Sequence, residues 1–434
     1  MNTNADIFPM SYQRDSAGRM QIAGCDVNAL CDQWGTPLYL LDGRTVREQA
    51  ASLARWGAAH YAGKFTVAYA SKAYLSLKFA EKLAAMPVGI DTVSLGEMKI
   101  ARKAGFDGER VHLHGNGKTE AELRFALEWG IDAIVVDSPE ELQFLARLAE
   151  NRQTQARIWL RITPGVDVDT HPHVQTGQTG SKFGISIPDG QAEALIRQAL
   201  GEPWLALTGL HIHLGSQIFD AAPYQKAVEQ LCLLAERAGY IPQKISTGGG
   251  WGVRYVPQHA ENDGERWIRA VSETLMMESG KRGWPLPELV LEPGRWMAAR
   301  AGVAVYSVTT SKTNGEGVYV IALDGGMADN PRPAMYSASY IAELAAREMP
   351  EARRESMLVG KFCETGDILI PSIQMPEVRR GERIAMPAAG AYQISMASNY
   401  NLAARPAVLW LEDGKAEVLQ QREDPGERGY WMGE

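Results

Sequence analysis

The sequence predicts an α/β protein: a (β/α)8 barrel of the TIM type, followed by a mainly β C-terminal domain that also takes in the N-terminal segment. Three observations predict it. Short apolar runs alternate with stretches of helical periodicity through eight successive repeats, more than an open doubly wound sheet usually holds. No GxGxxG opens the first repeat, which weighs against a dinucleotide-binding sheet. Beyond Arg300 the helical rhythm gives way to strand-like runs such as VAVYSVTT and AVLWLEDGKAEVL, punctuated by Gly and Pro.

The predicted strands are 64–72, 87–94, 109–115, 132–138, 156–163, 206–215, 244–250 and 288–294, with helical patterns near 74–85, 96–105, 118–129, 139–150, 189–200, 221–239 and 262–281. This places the barrel at 42–299. Residues 1–41 carry little helix periodicity and end in a short strand after a Gly-Thr-Pro break, so they are expected to join 300–434 in a β-rich domain. A chain of 434 residues exceeds what one core usually organises, in keeping with this division.

Composition narrows the class. A net charge of −8 without a Lys/Arg stripe disfavours a nucleic-acid binder. The four cysteines, Cys25, Cys31, Cys232 and Cys363, form no CxxC and suit a reducing compartment. The N-terminus lacks a basic region followed by an apolar core, and no apolar run reaches membrane-spanning length, so a cytoplasmic protein with no membrane partner is expected.

In such a barrel, chemistry collects where strands end. The stretch Lys64 to Ala73 drives an apolar strand into Lys72, whose amine, partly desolvated at a barrel mouth, would suit imine-forming chemistry. The other strand ends carry Asp91 and Ser94, His114 and Asn116, Arg161, His211 with His213 and Ser216, the run Gly248, Gly249 and Gly250, and Glu292 followed by Gly294 and Arg295. Three glycines without Cβ atoms let backbone N–H groups close on an anion, and Arg295 adds a charge at the phosphate position typical of strands seven and eight. An amine opposite a phosphate nest suggests pyridoxal 5′-phosphate. Glu292 would face its ring nitrogen. A lone histidine is usually a satisfied core residue, but beside Gly215, Ser216 and Gln217 the side chain of His213 is read as lying on the ring. No metal site is read.

Further motifs carry a resemblance. YASKA around Lys72, HLGSQ around His213, GGGWG, EPGR, RPAMY from Arg332 to Tyr336, CETGD from Cys363 to Asp367 and GAYQISMASNYN from Gly390 resemble the alanine-racemase-like, fold-type III pyridoxal-phosphate decarboxylases. So do Thr170 to Gly177 and Ser181 to Gly184. The resemblance runs from about Tyr39 to Pro406. It implies that Lys72 holds the cofactor, with His213, Ser216, Gly248 to Gly250, Glu292, Gly294, Arg295 and Tyr392 around it. It further implies that Arg295, Arg332, Tyr336, Glu364 and Tyr392 bind substrate, and that Cys363 returns a proton to Cα. Cys363 and Glu364 would do so in the partner's active site, making the protein a homodimer with shared sites.

The activity implied is removal of one carboxylate from meso-2,6-diaminopimelate, giving L-lysine and CO2. Such a substrate needs a distal carboxylate anchored by an arginine fork and a distal ammonium met by a carboxylate, the pair Arg332 and Glu364. The alternatives are a related decarboxylase of lysine, ornithine or arginine, and a non-catalytic carrier of the same cofactor. Departures from the family pattern are Ala328-Asp329-Asn330 after DGGM, Gln393 in place of glycine, and Leu402-Ala403-Ala404 before Arg405 and Pro406.

Overall fold

Only three to eight residues at a time are apolar enough to sit in the barrel wall, and its strands are correspondingly short. They are Phe65–Ala70, Gly89–Thr92, Val111–Leu113, Ala133–Val136, Ala156–Thr163, Leu205–His211, Lys244–Ser246 and Glu288–Leu291, numbered one to eight below. Residues 4, 6–166, 180–261, 263–427 and 432 are described by the computed structural model. All eight strands pair in parallel, and the sheet closes because Leu289 on strand eight pairs with Phe65 on strand one. The barrel class expected from the βα rhythm is therefore the one observed.

Helices start at polar caps soon after the strands. Ser94 and Ser138 each accept a hydrogen bond from the N–H three residues on, and Thr119 forms a reciprocal capping box with Glu122. Each cap stabilises its helix by about 1 kcal/mol. The barrel interior holds Ala133, Val135, Trp159 and Val290. Trp159 fits because Gly209 stands opposite, where a Cβ would come within 2.8 Å of the indole.

The chain divides into two units, one comprising Gln49–Gly252 with Asn262–Trp296, the other Met1–Glu48, Val253–Glu261 and Met297–Glu434. The second contains a mixed sheet. Its strand Leu38–Asp42, buried at all five residues, pairs antiparallel with Gly302–Thr313 and parallel with Ala407–Glu412. Phe8, Met20, Leu38, Leu40, Val303, Val305, Leu409 and Leu411 form its core.

Two features were not expected from the sequence. A helix, Val27–Trp34, occupies the stretch read as poor in helix periodicity; it starts at an Asp26 side chain that accepts from Asn28 and Ala29 N–H. The segment Val253–Glu261, placed in the barrel by the sequence, belongs to the β-rich unit, where Arg254 pairs with Asp6 and Tyr255 packs on Tyr340 at 5.3 Å. Among the described residues no helix is long and apolar enough to cross a membrane.

Asp329 lies buried in this unit, accepting from Tyr306 Oη at 2.6 Å, Tyr39 Oη at 3.0 Å and the Gly326 N–H at 2.9 Å. Burial raises its carboxyl to about 6, against the pull of the tyrosine hydroxyls. The folded state thus holds this proton more tightly than the unfolded chain does. The resulting stabilisation is fully present below about pH 4 and is lost as pH rises through about 6, on the order of 3 kcal/mol. Urea titrations of wild type and Asp329→Asn between pH 4 and 7 should differ by this pH-dependent component. A difference that stays flat across the window refutes the assignment.

Candidate active site

Lys72 follows strand one on a single 3-10 turn, Ser71–Ala73, whose flanking side chains are buried. The strand ends at Ala70, earlier than its apolar pattern suggests, with the Ala70 N–H donating to the Pro293 carbonyl at 3.3 Å. The Lys72 side chain is exposed rather than partly desolvated. Among the described residues no hydrogen bond or ion pair engages its amine, although its charge bears on Asp91, Glu97, His211 and His213.

Opposite stands Glu292, directly after strand eight and buried. Its Oε2 lies 3.0 Å from His211 Nε2, its Oε1 accepts from Ser246 Oγ at 2.8 Å, and His114 Nε2 is 3.4 Å from Oε1. Asp91, on strand two, is 3.6 Å from the same His114 nitrogen. The two histidine rings meet edge to face at 4.7 Å. Burial by itself would raise the Glu292 carboxyl, but the imidazoles of His114 and His211, by their electrostatic pull and their hydrogen bonds, hold it well below the usual carboxylate range. Asp91 moves the other way: burial, and then the neighbouring Glu292 charge, raise it well above that range. Burial pushes His114 down to about 3 and lowers His211 and His213 as well, His213 with a further contribution from Lys72. The two buried carboxylates of this cluster are thus pushed in opposite directions, Glu292 down and Asp91 up.

The glycine run after strand seven is moulded by close approaches that only glycine permits. A Cβ on Gly249 would lie 2.2 Å from the Glu292 carbonyl oxygen, and one on Gly250 would lie 2.2 Å from that of Gly215. Gly248 has φ +67° and would place a Cβ 2.8 Å from His213 Nδ1, which accepts from the Gly249 N–H at 3.4 Å. Tyr224 Oη donates to the Gly249 carbonyl at 2.5 Å. Ser246 links the run to the carboxylate, donating to Glu292 while accepting from the Gly248 N–H at 3.1 Å. Arg295 is buried and donates from Nη2 to Ser216 Oγ at 3.0 Å, and Gly294 packs against Ala70 and Ala73, where a Cβ would meet both at 3.1 Å.

Lys72, His213, Ser216, Gly248 to Gly250, Glu292, Gly294 and Arg295 thus all lie at the C-terminal ends of the barrel strands. An exposed amine, a backbone cradle with no room for side chains, a buried Thr247 hydroxyl with no hydrogen-bond partner among the described residues, and one deeply held anionic carboxylate fit pyridoxal phosphate. Ser246 and Tyr224, which brace the cradle and the carboxylate, were not singled out from the sequence. Neither carries a pattern of its own, and only their contacts reveal them.

The remaining predicted residues lie in the β-rich unit. Arg332 is buried at the start of the short helix Arg332–Tyr336, and Tyr336 is partly buried at its end. Cys363 and Glu364 are exposed in the turn between strands Arg354–Val359 and Ile368–Met375. The buried Asp367 carboxylate stiffens that turn by accepting from Met327 N–H at 2.6 Å and Phe362 N–H at 2.8 Å. Cys363 differs from Cys25, Cys31 and Cys232, which are buried; burial raises the Cys31 and Cys232 thiols to about 12. Tyr392 is partly buried and has φ +59°, and Gln393 beside it is buried. Thr170 to Gly177 lie outside the described residues, as does most of the 165–183 segment.

A closed parallel barrel with an amine, a phosphate cradle and a buried carboxylate at its strand ends defines the site of a pyridoxal-phosphate enzyme. Residues 46–299 match the family model described as pyridoxal-dependent decarboxylase, pyridoxal binding domain, and the chain belongs to that family. It is a pyridoxal-phosphate-dependent amino acid decarboxylase. The chain is similar to diaminopimelate decarboxylase of Bacillus subtilis, 40% identical over 95% of this chain and 94% of the relative. The structure is similar to that of diaminopimelate decarboxylase from M. jannaschii in complex with L-lysine, with a TM-score of 0.88 at 29% identity over 95% of both chains. It is also similar to the Helicobacter pylori diaminopimelate decarboxylase with L-lysine, with a TM-score of 0.84 at 30% identity over 92% of this chain and 97% of that one.

Proposed function

We propose that this protein removes one carboxylate from meso-2,6-diaminopimelate, yielding L-lysine and CO2, as the last step of lysine formation. The observation that carries the reading is the full-length similarity to diaminopimelate decarboxylases. Arg332 supports it. Its guanidinium is buried, yet among the described residues no carboxylate pairs with it. A buried charge without a counter-ion costs several kcal/mol, which a substrate carboxylate would offset. A lysine or ornithine decarboxylase has no distal carboxylate to place there.

The cofactor, when bound, supplies the electron sink that makes loss of CO2 from Cα feasible. The chain's own groups do the rest. Lys72 would hold the cofactor by its aldehyde group. The N–H groups of Gly248 to Gly250, with Ser216 and Arg295, would bind its phosphate. Glu292, held well below the usual carboxylate range, would partner its ring nitrogen, and His213 would contact its ring. Arg332, with Tyr336, holds the distal carboxylate, Glu364 meets the distal ammonium, and Tyr392 closes the site. Cys363 delivers a proton to Cα after CO2 leaves. In this reading 42–299 is the cofactor domain, while 1–41 and 300–434 supply substrate and dimer contacts. The free cysteines favour the cytoplasm as its compartment.

Turnover should be measured on meso-diaminopimelate, lysine, ornithine and arginine. A preference in kcat/KM of at least about a thousandfold for meso-diaminopimelate is expected, because the other substrates leave Arg332 unpaired. Comparable turnover of lysine or ornithine would overturn the substrate assignment in favour of a related decarboxylase. We also infer a homodimer with shared sites, which the exposed, stiffened turn bearing Cys363 and Glu364 favours. Mixing inactive Lys72→Ala with inactive Cys363→Ala subunits should restore about a quarter of wild-type activity per total subunit after statistical exchange. No recovery after verified exchange would count against sharing.

A further inference from the structure

Arg332 is more than buried: it is gripped. The Tyr255 ring lies under its guanidinium, 4.8 Å from the ring centroid, and the Tyr340 ring flanks it at 5.7 Å. Tyr340 Oη accepts a hydrogen bond from Arg332 Nη1. The two tyrosines meet edge to face at 5.3 Å and 85°, and both are buried. Each has a separate reason to be there. The helix Arg332–Tyr336 ends at Ser337, whose φ of +51° reverses the chain and returns Tyr340 to the arginine. Tyr255 arrives on the segment Val253–Glu261, which Arg254 pins through Asp6 and the Pro257 carbonyl, and its own N–H donates to His259 Nδ1 at 3.3 Å.

We propose that Tyr255 and Tyr340 form an aromatic clamp that fixes the direction of the Arg332 fork and so sets specificity for substrates ending in a distal carboxylate; this rests on the reading of Arg332 as the distal anchor. An arginine side chain has several rotatable bonds, and bidentate recognition of a carboxylate needs its plane held before the substrate arrives. Both tyrosines supply a ring face and a hydroxyl contact to the guanidinium, and neither competes as an anion would. They act through Arg332, so they are positioning residues.

The test uses the holoenzyme with meso-diaminopimelate as substrate, and with L-lysine and cadaverine as inhibitors. L-Lysine keeps the distal carboxylate and cadaverine lacks it. Tyr340→Phe, which loses only the hydroxyl, and Tyr255→Leu, which loses the ring, should each raise KM and weaken L-lysine inhibition about tenfold. With kcat and cadaverine inhibition held within about twofold, the effect is confined to the distal head. Tyr255→Phe, which keeps the π face but loses the hydroxyl contact to Arg332, should fall between wild type and Tyr255→Leu in KM and L-lysine inhibition. If Tyr255→Leu folds poorly, Tyr340→Phe decides. Arg332→Gln separates the two layers of the argument. If that variant leaves KM and L-lysine inhibition unchanged, the distal-anchor reading fails. If it shifts both while the folded tyrosine variants stay within twofold of wild type, or if these variants weaken cadaverine as much as L-lysine, the clamp alone is overturned.

Discussion

Lys72→Ala abolishes the visible absorption of the bound cofactor and lowers turnover by at least about a thousandfold, the loss expected when the group that holds a cofactor covalently is removed. The substitution is mild for the fold. The side chain is exposed, and the turn is fixed by the buried Ser71 and Ala73 and by the Ala70 to Pro293 hydrogen bond, none of which depends on the amine. Circular dichroism and the melting temperature of the cofactor-free protein should therefore match wild type. A variant that keeps its absorption band, or that turns over within tenfold of wild type, would remove Lys72 from its role.

Glu292→Gln should lower kcat by about a hundredfold or more, the scale on which a preorganised charge opposite a reacting group is lost. The shape of the side chain is kept, but its negative charge disappears. Glu292 receives His211 on one oxygen and Ser246 on the other. A glutamine can accept from one of them and must turn its own N–H groups on the other, leaving a buried donor unsatisfied. Because Ser246 also receives the Gly248 N–H, cofactor affinity should weaken together with kcat. Spectral titration with pyridoxal phosphate and single-turnover rates check both effects. A kcat within tenfold of wild type would show that the ring nitrogen needs no charged partner here.

Helix and strand alternation made the barrel legible. Yet the predicted strands 64–72, 109–115, 206–215, 244–250 and 288–294 overrun the observed ones at their C-terminal ends. The reason is local chemistry. Lys72, His114, His213, Gly248 and Glu292 follow apolar runs closely, so a pattern reader extends the strand into them. In the fold, the regular strand stops before them, and single hydrogen bonds such as those of Ala70 to Pro293 and Glu292 to Gly248 tie down the strand ends. The missed helix Val27–Trp34 depends on the Asp26 cap and on burying Val27, Leu30 and Cys31, a face too short to stand out as a period.

What the sequence by itself determined is the order of the elements and the identity of the groups that do chemistry: an amine after the first apolar run, a glycine run after the seventh, a carboxylate after the eighth. Those follow from residue type and spacing, which are local. Which of two buried carboxylates is pushed up and which down, which serine ties Glu292 to the glycine run, and which two tyrosines grip Arg332 were decided only in three dimensions. Electrostatic coupling and hydrogen bonding depend on distances of a few ångströms between residues far apart in the chain, and no one-dimensional pattern carries those distances.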